Sequence, residues 1–422
     1  MKATGKAIVA LAGATVISLA VVGCGSSNSG GDAGAKSSAA ASAPTLTGDP
    51  VLIGSMYPLT GQGLNEQTWL AGAKAAVAGI NQRGGINGHP VKLDQCDDGN
   101  DPNKATACAR KFIKDKVIAV AGGVTLFGDK MTPILQNAGI AQIGILPIVP
   151  AEYSSPTVFP LDTAGLGTVG GGLYALKKIG AETVYIVAPY SGAASDAAIA
   201  FTEKNAAAAG LTVKGVAHVP PSATDYTQYA QAAISSGADA VFTNLAPAQL
   251  IPFTRAAQQL NAHFKLGTDG EASPGDYKSL GMLGSSAVYA SSYPPISGDT
   301  ERFPALATYN ADMDAELASG DSNAEKDKRT SFTQRAWLAV SVTAQLAEKL
   351  EKPDAAGILK ALRTEKNIET GMIPAWTPSA KGPTGYRSIS NGQMYLLQRD
   401  GDGDKLIEND PVDIMKILFP NG

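Results

Sequence analysis

Short runs of apolar and β-branched residues alternate along most of the chain with longer stretches whose apolar positions recur three and four apart. Val51 to Met56 reads as a strand, and Gln67 to Gln82 follows as a helix with Trp69, Ala73, Val77 and Ile80 on one face. The RGGING segment, Arg83 to Gly88, ends that helix, and Val91 to Gln95 forms the next strand. Asp101 then caps a helix that has Pro102 at its first position and runs to about Lys114. Further strands are expected at 117–121, 141–145, 183–188, 212–218, 240–243 and 265–267, with helices between most of them. This alternation predicts an α/β fold of mainly parallel sheets covered on both faces. The pattern then changes. Helices Arg302–Leu317 and Ser331–Glu351 stand close together, a charged, solvated loop from Asp321 to Arg329 joins them, and a third helix follows Asp354. Met394–Leu397 reads as a strand with a turn at Asp400 to Asp404.

The ends carry different information. Lys2 and Lys6 precede a run of small and apolar residues from Ala7 through Val22, the layout of a secretory signal. That run is shorter than the ~20 residues a helix needs to cross a bilayer. It ends at Val21, Val22, Gly23, Cys24, which resembles the lipobox of bacterial lipoproteins. The resemblance implies cleavage after residue 23 and a lipid on the Cys24 thiol. Residues 25–48 are mostly Gly, Ser, Ala and Thr, too small and polar to build a core, and read as a tether spanning roughly 25 to 30 Å. The later stretch from Gly139 to Val149 is too short for a membrane helix and contains Gln142 and Pro147, so the expected membrane contact is the lipid anchor alone.

Residues 49–422 suit two ordinary domains better than one. The chain has 422 residues and a formal net charge of −4, and no basic stripe that would hold nucleic acid. Cys96 and Cys108 are an even pair outside the cytoplasm, which favours one disulfide over two free thiols; closing so short a loop would contribute ~3 kcal/mol. His89, His218 and His263 lie in three separate segments without metal spacing, and no G-x-S-x-G elbow occurs. GLGTVG, with Gly165, Gly167 and Gly170, matches a dinucleotide fingerprint, but the next strand runs into Pro189 and Tyr190 instead of a ribose-binding acid. Its glycines are read as close helix packing near a crossover. Asp400, Asp402 and Asp404 imitate the start of a calcium loop, yet Lys405 and Pro411 occupy positions that need Gly and Glu, so a hairpin turn is expected. No catalytic residue, metal site or cofactor is expected.

PLTGQG from Pro58, AVAGINQRGGINGHPVKLDQCDD, DPNKATACARKFI ending at Ile113, VIAVAGG at 117–123 and TVYIVAP at 183–189 together resemble the branched-chain amino acid (Leu/Ile/Val) binding proteins of ABC importers. The resemblance extends over nearly the whole mature chain. It implies a type I periplasmic-binding-protein fold: two doubly wound lobes joined by three crossovers and closing over a ligand. Crossovers near Asp162, Tyr293 and Lys381 divide the chain into 49–162 plus 293–380 as lobe 1 and 163–292 plus 381–422 as lobe 2. In open parallel sheets ligands lie beyond the carboxyl ends of the strands. The loops facing the cleft are then 57–62, 123–128 and 146–149 in lobe 1, and 190–194, 244–247 and 269–271 in lobe 2.

Within those loops Tyr57, Thr60, Gly123, Thr125, Phe127, Pro147, Tyr190, Asn244 and Asp269 are the expected ligand-binding residues. Thr125 is the candidate hydroxyl donor to a ligand carboxylate. Asp269, in LGTDGE, matches the position at which amino acid binders of the family carry the acid that pairs with an α-ammonium. Tyr57, Phe127 and Tyr190 would wall the pocket. In one place the chain departs from the family: a Ser-Pro-Ala-Ala-Thr-like run after the fourth strand is replaced by ILPIVPAEY, Ile145 to Tyr153, which loses hydroxyls and leaves room for a less polar carboxylate or an aromatic acid. The expectation is a lipid-anchored solute receptor on the outer face of the bacterial cell membrane, delivering a small amino acid-like or carboxylate ligand to an ABC permease. The alternative is a lipoprotein of the same fold that reports ligand occupancy to a signalling partner.

Overall fold

The computed structural model describes residues 45–61, 64–401 and 403–421, except the side chain of Ala194. The signal segment, Cys24 and most of the tether therefore lie outside the described residues, as do Gln62 and Asp402. Among the described residues no helix is long and apolar enough to cross a membrane.

Two sheets organise the chain. The first is five-stranded and parallel, in the order β2-β1-β3-β4-β5, from β1 (Val51–Met56), β2 (Val91–Cys96), β3 (Val120–Gly123), β4 (Gln142–Ile143) and β5 (Val158–Phe159). The second contains β6 (Thr183–Pro189), β7 (Thr212–Val219), β8 (Ala240–Thr243), β9 (Lys265–Thr268), β10 (Val288–Ser291), β11 (Gln393–Asp400), β12 (Gly403–Leu406) and β13 (Val412–Asp413). Its order is β12-β11-β10-β9-β8-β6-β7, with β13 on β11; β7 through β10 run parallel, whereas β11 and its partners are antiparallel. The α/β class with mainly parallel strands is as the alternation predicts. β5 and β10, too short to show a period, were not legible, and the pairing of β3 begins later than 117.

Helices cover both sheets, and small residues set how closely. A Cβ on Gly172, in helix Ala164–Lys178, would collide with the Thr268 carbonyl of β9, and one on Gly171 with Ala290 of β10. Gly171 and Gly172, just after GLGTVG, thus belong to helix–sheet packing, whereas Gly170 lies against Leu418 and a Cβ on Gly165 would meet nothing. Cys96, at the end of β2, is bonded to Cys108 in helix Pro102–Asp115, with Cα atoms 5.7 Å apart. The same helix is capped as expected, Asp101 accepting from the N–H groups of Asn103 and Lys104. The segment from Asp321 to Arg329 is exposed at Ser322 and from Glu325 to Asp327, as expected of a solvated loop, but it is built of two single 3₁₀ turns, Ser322–Ala324 and Lys326–Lys328, and its last residue turns inward. Arg329 is 1% exposed, because its Nε donates to the Ala324 carbonyl and its Nη2 to Asp314. Asp321 is engaged as well, by Lys74 of helix Gln67–Gln82.

The chain passes between the sheets three times: between β5 and helix Ala164–Lys178, between β10 and helix Pro304–Ala318, and between helix Ala355–Thr364 and β11. These crossings are fastened to one another. Asp162 of the first accepts at Oδ2 from the Tyr293 hydroxyl of the second (2.8 Å) and from Arg335 Nε of helix Ser331–Glu348 (2.6 Å). Asn391 of the third donates to the Leu161 carbonyl at 2.9 Å. All of these side chains are buried, so the bonds act where water does not compete.

Candidate functional site

The carboxyl ends of β1, β3 and β4 carry the first-sheet candidates. Tyr57 is 1% exposed, and its hydroxyl, lying beside Gly122 and the backbone of Ala336, has no hydrogen-bond partner among the described residues. Burial raises its pKa far above the ordinary phenol value. Thr60, exposed, donates to Asp97 at 2.6 Å. Gly123 has φ +116° and a Cβ there would strike the Met56 carbonyl, so glycine at this position lets β3 run close to β1. Thr125 is buried and its hydroxyl donates to the fully buried Asp98 at 2.6 Å while accepting from the Phe127 N–H at 3.0 Å. The hydrogen expected to reach a ligand is therefore given to Asp98 instead. Phe127 is half-buried, and Pro147 is buried with its carbonyl bound by Tyr153. Between them Leu126 and Ile148 are 42% and 39% exposed, which makes the first-sheet edge apolar where the family's hydroxyl run is missing.

The second-sheet candidates sit at the ends of β6, β8 and β9. Tyr190 stacks on His218 with ring centres 4.5 Å apart. Asn244 is half-buried and its side chain makes no hydrogen bond among the described residues. Asp269 accepts a hydrogen bond from the Glu271 N–H at 3.2 Å and has no cationic partner among the described residues. Its pKa is raised by burial and then by the negative charge of Glu271; Glu271 is raised in turn by burial and by Asp276.

Sequence reasoning missed Glu66, at the N-terminal end of helix Gln67–Gln82. It is 8% exposed, and burial together with the charge of Glu271 pushes it up to about 7. Glu66 follows β1 of the first sheet and Glu271 follows β9 of the second, so carboxylates from both sides act on each other, and neither has an ion-pair partner among the described residues. The sequence signal was an acid within the cleft-facing loop 269–271, Glu271, and another in GLNEQTW just beyond the loop 57–62, Glu66. Near Glu66, Trp69 and Phe332 stack at 4.2 Å, and the Arg335 guanidinium lies 4.8 Å from the Phe332 ring. These carboxylates, Glu66 buried and Asp269 and Glu271 half-buried, have no ion-pair partner among the described residues and would be stabilised by a ligand ammonium. No group of acids, histidines or cysteines among the described residues is arranged to hold a metal ion.

A well-formed cavity lies elsewhere. It has a volume of about 460 Å³ and lies beside the second crossing, and it meets the stretch after Asp269 from Gly270 to Lys278. None of the nine expected residues lines it.

A 75-residue stretch is 44% identical to an "Amino acid binding protein" of Pseudomonas aeruginosa, covering 17% of this chain and 20% of that one. Another of 141 residues is 30% identical to the Leu/Ile/Val-binding protein of Escherichia coli K12, covering 32% and 38%. The matches thus span between about a fifth and two fifths of these relatives. Solved structures of similar fold include an ABC transporter substrate-binding protein from Sphaerobacter thermophilus (TM-score 0.67, 20% identity, 87% of this chain and 99% of that one). A solute-binding protein from R. palustris in complex with 4-hydroxybenzoate has TM-score 0.64 and 20% identity over 86% and 97% of the two chains. A branched-chain amino acid transporter substrate-binding protein from Streptococcus pneumoniae, in complex with isoleucine, has TM-score 0.65 and 14% identity over 86% and 99%. The sequence profile described as periplasmic binding protein matches residues 50–404, running through both sheets, and the chain accordingly belongs to that family of extracytoplasmic solute-binding proteins, which are not enzymes.

Proposed function

We propose that this chain is a lipid-anchored receptor that captures a small amino acid-like or carboxylate ligand between two lobes and delivers it to an ABC importer. The lobes are residues 49–162 with 293–380, and 163–292 with 381–422. The observation that carries the reading is the carboxylate group formed by buried Glu66 and half-buried Asp269 and Glu271, without an ion-pair partner among the described residues, after strands of two sheets. An ammonium at Asp269 would relieve that charge. The apolar edge at Leu126, Phe127, Pro147 and Ile148 would receive the ligand's body, with Tyr190 and Asn244 approaching from lobe 2 and Tyr57, Thr60, Gly123 and Thr125 belonging to the loops that shape the lobe 1 face. A ligand touching both lobes favours the closed arrangement by its differential affinity, and the closed form is what docks on a permease. Cys24 and residues 25–48 supply the anchor and reach.

Thermal-shift screening of the purified chain against amino acids, aromatic acids and amides tests this. A ligand at 100 times its Kd stabilises by ~2.7 kcal/mol. A panel in which no ammonium-bearing or carboxylate compound shifts the melt would overturn the reading. Turnover of any compound would do the same.

A further inference from the structure

We infer that the cavity beside the second crossing is a second ligand site, distinct from the cleft at Asp269, and that it takes a small monocarboxylate with an apolar or aromatic body. The inference rests on the two-lobe receptor reading. Its walls come from three parts of the chain: residues 310–334 of the first lobe, residues 270–291 and 397–404 of the second, and residues 294–297 of the crossing between them. Its volume of about 460 Å³ falls in the range of small-molecule sites.

Two buried arginines line this space from opposite lobes. Arg399, on β11, is 3% exposed; it donates from Nη1 to Asp404 at 2.9 Å, and its Nε is buried without a partner among the described residues. Arg329 is 1% exposed and spends Nε and Nη2 on Ala324 and Asp314, which leaves Nη1. An orphaned N–H on a desolvated guanidinium is costly, and a carboxylate oxygen is the acceptor that best relieves it. The charges agree. Arg399 is paired with Asp404, Arg329 with Asp314, and Lys278 of lobe 2 with Asp327 of lobe 1, whereas Lys326 on the same wall has no ion pair among the described residues. Among the described lining residues one positive charge is therefore in excess. The remaining wall is apolar: Tyr277 and Tyr289 stack at 6.0 Å, the Arg399 guanidinium lies 5.0 Å from the Tyr277 ring, and Pro294, Pro295 and Ile296 face them. A carboxylate set between Arg399 and Arg329 touches both lobes at their hinge, so its binding favours the arrangement in which the two arginines share one cavity.

Isothermal titration of benzoate into the full-length chain tests this, with variants at each site. Ser297 is exposed at the cavity wall, so Ser297→Trp obstructs the space without disturbing the core. Arg399→Lys keeps the charge opposite Asp404 but removes the Nε donor. The expected result is saturable benzoate binding that falls about tenfold or more in each of these variants and stays within about twofold in Asp269→Asn. Melting of the unliganded variants at the parental temperature shows that they fold. Absence of saturable binding below about 10 mM overturns the inference. Binding abolished by Asp269→Asn and untouched by Ser297→Trp and Arg399→Lys also overturns it, placing benzoate in the cleft and leaving the receptor reading intact. If neither the cleft nor the cavity variants alter binding of any compound, both readings fall.

Discussion

The bond set around Asp162 makes a quantitative prediction. Arg335 has a side chain 6% exposed, and its Nη1 is buried without a partner among the described residues, so Asp162, itself 2% exposed, supplies the carboxylate that compensates its charge. Asp162→Asn keeps the shape and an acceptor for Tyr293, but leaves the guanidinium facing a neutral amide. Arginine does not discharge to escape burial. Removing one member of a buried pair costs about 3 to 5 kcal/mol, and the retained amide oxygen puts Asn toward the lower end, near about 3 kcal/mol. Tyr293→Phe deletes one hydrogen bond to a charged group and should cost about 1.5 kcal/mol or somewhat more. Both bonds end on the same Oδ2 atom, so the double variant should lose less than the sum of the single losses. Arg335→Met in the Asp162→Asn background removes the stranded charge and should recover part of the stability. Urea unfolding at pH 7, followed by far-UV circular dichroism and tryptophan fluorescence, reads all four variants. A loss below about 1 kcal/mol for Asp162→Asn would refute the argument that this ion pair fastens the crossings.

Asp269→Ala should weaken binding of an ammonium-bearing ligand such as leucine by roughly tenfold to over a hundredfold, the equivalent of a charge-assisted bond of ~1.5 to 3 kcal/mol, as measured by calorimetry; unchanged affinity would remove the ammonium from Asp269. Glu66 titrates near 7 in the folded chain, above its unfolded value, so the folded state binds the extra proton and the group's contribution to stability declines as pH rises from about 4 to 7. Glu66→Gln should therefore raise the melting temperature at pH 8 and leave it unchanged at pH 4, and a gain confined to low pH would contradict the assignment. An ammonium ligand favours the ionised carboxylates, so its affinity should increase between pH 5 and pH 8 with proton release on binding. Cys24→Ser should leave the chain folded but absent from the membrane fraction; retention there would show another anchor.

Much of the fold was written in local order. β1, the helix that follows it and the Asp101 cap depend on period and side-chain chemistry within one segment, and each lies where its residues predict. The pairing of Cys96 with Cys108 is similarly local, since a strand end and the second turn of the next helix meet whenever that strand–helix unit forms. Resemblance, carried by PLTGQG and the RGGING turn among other segments, extended the reading to the family. Segments without a period were less legible. β5 spans two residues, and the run from Asp321 to Arg329 looked solvated throughout because composition cannot show that its last residue, Arg329, is drawn inward by the carboxylate of Asp314.

The candidate site divides along the same line. The position of Asp269 just after a strand follows from sequence order alone. Its lack of a cation does not, nor do the opposition of Glu66 and Glu271, the use of the Thr125 hydroxyl by Asp98, or the cavity shared by Arg329 and Arg399. Each of these joins residues that folding brings together from distant parts of the chain, 70 positions apart for Arg329 and Arg399 and 173 for Asp162 and Arg335. Local propensity acts over a few residues, whereas burial and Coulomb energy depend on which surfaces face one another. The sequence therefore determined which chemistry is present at each strand end, and tertiary structure decided which of those charges are left without a partner.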